Sequence, residues 1–345
     1  MTRLEQLGWT SERAAALASV DAGGGLIPGR VGLEHNHVFR VLTEDREWLA
    51  ETAGRIKHEA AGRHELPAVG DWVAIRPDPQ GARAVIKAVL PRHSWFSRKS
   101  AGRETTEQVV AANVDTALIV FGLDKGVNAR AIERYLVVAQ RSQARPVLVL
   151  NKADLVERIE GPLGEARAAA GATPVHAVSS RTGAGVHELE RYLQAGSTVA
   201  LLGPSGAGKS SIVNRLVGAE VLPTGEVRPW DARGRHTSVH RQLVRREAGG
   251  VIIDTPGMRE LQLWDPEGGI AETFPDLEAL GETCRFRDCR HHREPGCAVK
   301  AAVESGELDR GRYESFLKLQ AEQEEIDRRR QELEHQGGKR KRRTT

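Results

Sequence analysis

Eight consecutive residues, Gly203-Pro204-Ser205-Gly206-Ala207-Gly208-Lys209-Ser210, have the types and spacing of G-x-x-x-x-G-K-[ST]. The glycines permit a tight turn with backbone N–H groups aimed inward. A helix that follows adds the positive end of its dipole, so the segment suits phosphate groups. In that chemistry Lys209 reaches the β- and γ-phosphates, Ser210 ligates Mg²⁺, and Ser211 opens the helix beside them. The flanks agree: Val199-Ala200-Leu201-Leu202 reads as a buried strand and Ser211 to Leu216 as a helix start.

A second set of residues bears on which nucleotide is bound. Asn151-Lys152-Ala153-Asp154 follows an apolar strand and fits N-K-x-D, which reads guanine. The Asp154 carboxylate can accept both N1–H and the N2 amino hydrogens of guanine, whereas adenine lacks that amino group. Ser179-Ser180, after the next strand, takes the place of the companion loop at the guanine carbonyl. Asp254-Thr255-Pro256-Gly257 fits D-x-x-G, with Asp254 holding Mg²⁺ through water and the Gly257 N–H sensing the γ-phosphate. Between these motifs lies Gly234-Arg235-His236-Thr237-Ser238. Thr237 is the expected second Mg²⁺ hydroxyl, and Ser238 is the alternative. Asn151 and Asp154 precede Gly203, while Asp254 follows it, so the set is circularly permuted relative to a Ras-type chain. Met258 stands where such switches carry a water-positioning glutamine.

The third group is Cys284-x4-Cys289-x-His291-x5-Cys297, which uses all three cysteines of the chain. Three thiolates and an imidazole make a closed tetrahedral set for one structural zinc. His292 is the rival to His291. Free thiols clustered by chance are the bland alternative, while disulfides do not suit a cytoplasmic chain.

These residues need elements to position them. Thr116–Phe121, Pro146–Leu150, Val175–Val178, Val199–Leu202 and Val251–Ile253 are apolar strands. Helical segments at Ala129–Arg141, around Gly164–Ala170 and at Val186–Leu193 alternate with them, implying a mostly parallel sheet covered on both faces. Upstream, short alternating segments such as Val38–Leu42, Trp48–Thr52, Asp71–Ile75 and Val85–Leu90 suggest a small five-stranded barrel of the OB type. A helix is expected at Ser11–Val20, a basic linker at Arg98–Arg103, and helical structure from about Leu308 to Gln336. His35-Asn36-His37 has no further ligands nearby and reads as loop.

The chain has 345 residues, 28% charged and 39% hydrophobic, which suits two or three globular domains. No stretch approaches a membrane span and the start is unlike a signal peptide, so a cytoplasmic protein without membrane contact is expected. Net charge is +3, but eight cations and two acids from Arg328 onward put +6 in the tail and leave about −3 elsewhere. Such a tail is either an arm for nucleic acid or a solvated end.

On NKAD, GPSGAGKS, GRHTS and DTPG in this order, on Ala112-Asn113-Val114-Asp115, and on the cysteine pattern, the chain resembles the ribosome small-subunit-dependent GTPase A (RsgA/YjeQ) family over nearly its whole length. The resemblance implies an OB domain, a circularly permuted GTPase domain and a zinc domain that dock on the small ribosomal subunit and its rRNA. It further implies hydrolysis of GTP to GDP late in subunit maturation, stimulated by the subunit, with His236 replacing the missing glutamine; a monomer is expected. The division expected is an extension (1–28), an OB domain (29–100), the GTPase domain (101–272), a helical zinc domain (273–336) and a basic tail (337–345). Two other readings compete: a GTP-regulated RNA- or protein-binding module with incidental hydrolysis, and an ATPase with a zinc RNA-binding module.

Overall fold

The structure is a computed structural model. It describes residues 1–345 except 61, 80, 82, 100–106, 223–240, 255–269, 271–272, 322–323, 325–327 and 329–345. Two short helices open the chain, α1 (Arg3–Gln6) and α2 (Ser11–Val20). Thr2 and Glu5 cap α1 reciprocally, and the Thr10 side chain accepts from the Arg13 N–H at the start of α2.

A closed barrel follows, built from β1 (Ile27–His35), β2 (Val38–Leu42), β3 (Glu47–Thr52), β4 (Trp72–Pro77) and β5 (Arg83–Val89). Helix α3 (Gly54–Glu59) lies in the crossover from β3 to β4. The strand order is β1-β2-β3-β5-β4 with β4 returning to β1, and only β3–β5 is parallel. Alternation drives closure: every second residue of β3 is buried, and Val31, Phe39, Val41, Trp48, Val73, Ile75 and Ile86 fill the interior. This is the expected OB-type barrel. Its first strand was not anticipated, because Pro28, Gly29 and Gly32 interrupt the pattern that marks the others.

A hairpin, β6 (Trp95–Lys99) with β7 (Glu107–Ala112), leads out of the barrel. Arg98 and Lys99 therefore end a strand, where the charge run alone had suggested a linker. The α/β layer then runs through β8 (Thr116–Gly122), α4 (Ala129–Arg141), β9 (Arg145–Asn151), α5 (Glu160–Ala170), β10 (Val175–Ala177), β11 (Thr198–Leu202), α6 (Lys209–Val217), β12 (Arg241–Arg245) and β13 (Val251–Asp254). Strands β10-β9-β8-β11-β13 are parallel neighbours in that order, and antiparallel β12 joins β13 to β1 of the barrel. Successive residues divide between two cores. Leu118, Val120, Val147, Val199 and Leu201 pack with Ile212 of α6, while Ile119, Leu148, Ala200 and Leu202 pack with Ile132 and Leu136 of α4. Residues Val186–Tyr192, expected as an α-helix, form a 3₁₀ run after the left-handed Gly185.

The C-terminal part contains helices Pro275–Gly281 and Ala298–Ser305 and helical residues 310–321. Its apolar residues Phe274, Leu277, Val299, Leu308 and Phe316 share one core with α4. Arg312 ties the two parts ionically, reaching Glu133 of α4 at 2.9 Å and Asp276 at 2.7 Å. Among the described residues no helix is long and apolar enough to cross a membrane.

Candidate functional site

The described motif residues, Asn151 to Asp154, Ser179-Ser180, Gly203 to Ser210 and Asp254, lie at the carboxyl ends of the parallel strands, where open α/β sheets bind ligands. Gly203 to Gly208 connect β11 to α6. Gly203 has φ +127° and a Cβ there would sit 2.1 Å from the Val120 carbonyl oxygen, so no other residue lets the loop leave the sheet at this angle. Gly208 has φ +90° and caps α6, and a Cβ on it would lie 2.2 Å from Asn151 Nδ2. Pro204, Ser205, Gly206 and Ala207 complete the turn, with Ser210 and Ser211 in the first turn of α6. Lys209 Nζ donates to the carbonyls of Gly203 at 2.8 Å and Pro204 at 2.7 Å, which folds the ammonium over the loop.

Asn151 ends β9 fully buried. Its Nδ2 donates to the Ala207 carbonyl at 2.9 Å and to Ser180 Oγ at 3.2 Å, and its Oδ1 accepts the Ser180 N–H at 3.0 Å. One amide thus joins three loops. Lys152 takes a left-handed φ of 63° and its ammonium pairs with Asp124 at 2.7 Å. Ala153 begins the 3₁₀ turn Ala153–Leu155. Asp154 accepts from Ser179 Oγ and pairs with Arg181 at 2.7 Å. The Ser179 hydroxyl foremost, with Arg181, holds the Asp154 carboxyl below the usual carboxylate range, so it is an acceptor at neutral pH. Arg181 and Asp124 did not emerge from motif reading. The signal for Arg181 was only its place next to Ser179-Ser180.

Asp254 ends β13, two strands from β8 across β11. His236, Thr237, Ser238, Gly257 and Met258 lie outside the described residues.

The second cluster sits in the C-terminal part. One ligand atom each from Cys284, Cys289, His291 and Cys297 falls within 4.8 Å of the others. The Cys284 and Cys297 sulfurs are 3.9 Å apart, and His291 Nδ1 lies 3.6 and 3.4 Å from them. Tetrahedral bonds of about 2.3 Å to sulfur and about 2.0–2.1 Å to nitrogen give edges of roughly 3.5–3.8 Å, so Cys284, His291 and Cys297 stand near the spacing of such a site, with Cys289 within 4.8 Å of them. His291 is buried and aimed inward while His292 is exposed, which separates the two candidates. The His291 carbonyl accepts from Tyr313 Oη at 2.6 Å, and its ring packs on Phe316. Burial lowers the His291 pKa, favouring the neutral imidazole that ligates metals. Burial raises Cys284 as well, but the N–H groups of Ala298 and Val299 outweigh it and leave the thiol below its ordinary value. Cys289 lacks enough such donors, and burial pushes it up to about 11.

A buried arginine connects the barrel to the strand that carries the phosphate loop. Arg30 of β1 donates to Thr198 Oγ1 at 2.8 Å, to the Gly70 and Asn113 carbonyls at 3.2 Å each, and to the Leu7 carbonyl. Burial, then the neighbouring Arg13, lowers its pKa to about 9, so it stays charged at neutral pH.

Comparison with known proteins agrees with this geometry. A family model described as RsgA GTPase matches residues 89–264. The small ribosomal subunit biogenesis GTPase RsgA of Opitutus terrae is 48% identical over 329 residues, covering 93% of this chain and 89% of that protein. The protein of the same name from Syntrophotalea carbinolica is 41% identical over 327 residues, covering 92% and 89%. Among solved structures, YjeQ from Thermotoga maritima aligns with a TM-score of 0.63 at 29% identity, over 86% of this chain and 98% of that one. YloQ, described as a circularly permuted GTPase, shares the fold with a TM-score of 0.60 at 24% identity, over 90% and 98%. With the family model spanning half the chain and relatives at this identity spanning nearly all of it, the chain belongs to the RsgA GTPase family.

Proposed function

We propose that this protein is a GTP hydrolase of small ribosomal subunit biogenesis, which binds the subunit and its rRNA and is stimulated by it. The observation that carries the reading is Asn151, whose amide ties the guanine-reading loop, the Ser179-Ser180 loop and the phosphate loop into one site. Asn151 and Asp154 hold the base, with Lys152 and Ala153 between them and Ser179 and Ser180 opposite. Gly203 to Lys209 and Ser211 take the phosphates. Ser210 and Thr237 would offer hydroxyls and Asp254 its carboxylate to hold Mg²⁺, and Gly257 would read the γ-phosphate. When bound there, Mg²⁺ would supply positive charge to the phosphates. His236 positions the attacking water where Met258 has no group to do so.

Cys284, Cys289, His291 and Cys297 hold one structural zinc, since a closed set of four leaves no open position for chemistry. The five-part division, with an extension at 1–28, an OB domain at 29–100, the GTPase domain at 101–272, the zinc domain at 273–336 and a tail at 337–345, belongs to the same proposal. So do a monomeric state and a cytoplasmic location. Competition for labelled GDP tests the base assignment. Unlabelled GTP displaces it, while ATP at about a hundredfold higher concentration does not. Equal displacement by ATP would make the adenine-nucleotide reading the better one.

A further inference from the structure

At the end of the sheet opposite the nucleotide loops lies a cavity of about 570 Å³. Arg145, Arg167 and Arg191 line it together with Thr173, His176 and Tyr192. Arg145 opens β9, whereas Asn151 closes it six residues on, so about 20 Å separate this cavity from the nucleotide site. The cavity is therefore a second place, not an annex of the first.

Three arginines from three elements line this space: Arg145 of β9, Arg167 in the last turn of α5, and Arg191 in the 3₁₀ run Val186–Tyr192. None of the three pairs with a carboxylate of a described residue, and no carboxylate lines the cavity. Glu188 is engaged by His176 Nδ1 at 2.8 Å and also feels the charge of Arg191, at a range longer than an ion pair. His176 Nε2 in turn meets Tyr192 Oη at 2.9 Å, which fixes the aromatic wall. The Arg145 guanidinium lies 5.9 Å from the Tyr192 ring centroid, giving a flat cationic face beside that wall. The carbonyl end of α5 does not satisfy these cations. The Gly171 and Thr173 N–H groups cap the Arg167 and Ala170 carbonyls there. Three like charges around one open space repel one another until an anion is shared among them.

We propose that this cavity binds backbone phosphate of single-stranded RNA, with Arg145, Arg167 and Arg191 on the phosphate oxygens and a base stacked on the Arg145 face. The proposal deepens the RNA-binding part of the reading above and rests on it. Guanidinium forks match phosphate oxygens in pairs, and a planar cation against an aromatic wall suits an unpaired base. A free nucleotide carries the same phosphate chemistry, and the test separates the two sources.

Binding of a labelled ten-nucleotide polypyrimidine RNA to the full chain is measured by anisotropy across a salt series. The chains compared are the parent, Arg145→Ala/Arg167→Ala/Arg191→Ala, and the corresponding triple lysine variant. Each single-strand phosphate contact contributes about 0.7 to the slope of log affinity against log salt, so losing the one phosphate shared by the three arginines should lower the slope of the alanine variant by about 0.7. Its affinity at low salt should fall about tenfold or more. The lysine variant keeps the charges, and therefore the slope, while losing fork geometry and part of the affinity. Equilibrium dialysis with AMP forms the second arm. An alanine variant with unchanged RNA affinity and slope overturns the proposal. If AMP then binds the parent but not that variant, the cavity takes free nucleotides instead. Labelled GDP binding and thermal melting of each variant report folding. Turnover is not the readout, so a failure of the subunit-stimulation reading would leave this result distinct.

Discussion

Asn151 Nδ2 donates to the carbonyl of Ala207 at 2.9 Å, so the loop expected to read the base is bonded to the loop expected to hold phosphate. Gly208 follows directly, and its missing Cβ is what lets the Asn151 amide approach. Gly208→Ala should push this amide away and strain a left-handed position by about 1–2 kcal/mol. GDP affinity, measured by fluorescence titration, should drop about tenfold or more, roughly that strain plus one lost hydrogen bond. Unchanged affinity would show that the two loops are not coupled.

Asp154 accepts from Ser179 and pairs with Arg181, which keeps it ionised and oriented. Asp154→Asn reverses one donor–acceptor contact to the base. GTP affinity should fall roughly 10–100-fold and affinity for xanthosine triphosphate should rise. Retention of parental GTP affinity would move the base-reading role elsewhere.

Arg312 holds the buried Glu133 of α4 and the partly exposed Asp276. Removing it by Arg312→Ala leaves a buried carboxylate without its cation, which costs about 3–5 kcal/mol. Burial already raises the Glu133 pKa, against the opposing pull of Arg312. In the variant it should rise further. A carboxyl raised in the folded state is destabilising where it is ionised, and that penalty is relieved as pH falls through the raised value. Asp276 is depressed chiefly by Arg312 working against burial, and its lost contribution is constant above about pH 4. The stability deficit of Arg312→Ala, followed by urea unfolding, should therefore shrink from pH 7.5 to pH 5. A deficit that grows toward pH 5 would contradict the assignment to Glu133.

For the cluster at Cys284, Cys289, His291 and Cys297, metal analysis should return about one zinc per chain. Cys289→Ala should release it and loosen the loop around 284–297, seen as faster amide exchange there. Tyr313 and Phe316, which hold His291, should lose protection with it. A chain that lacks metal yet has parental exchange would refute a structural zinc.

What was legible in the sequence, and what was not, follows from the range of the interactions. Helices α2 and α4 and strands β2 and β8 to β11 carry periodic or continuous apolar patterns, and their positions could be read to within a few residues. The four-ligand cluster lies within fourteen residues, so spacing alone identified it. Strand β1 was hidden because its pairing with β2, β4 and β12 is set by distant chain, not by its own Gly- and Pro-broken pattern. Arg30 was equally hidden: its partners Leu7, Gly70, Asn113 and Thr198 are spread across the chain, and only folding brings them to one guanidinium. The bond between Asn151 and Ala207, 56 residues apart, belongs to the same class.

The central claim is that the small ribosomal subunit switches on hydrolysis at this site. The measurement is GTP turnover by the full chain with and without purified small subunits, alongside His236→Ala. The parent should turn over slowly alone and at least about tenfold faster with saturating subunits. His236→Ala should bind GTP and subunits normally but lose most of the stimulated rate, by about 10²–10⁴-fold if the histidine positions or deprotonates water. Subunits that bind the parent yet leave its turnover unchanged would contradict the account.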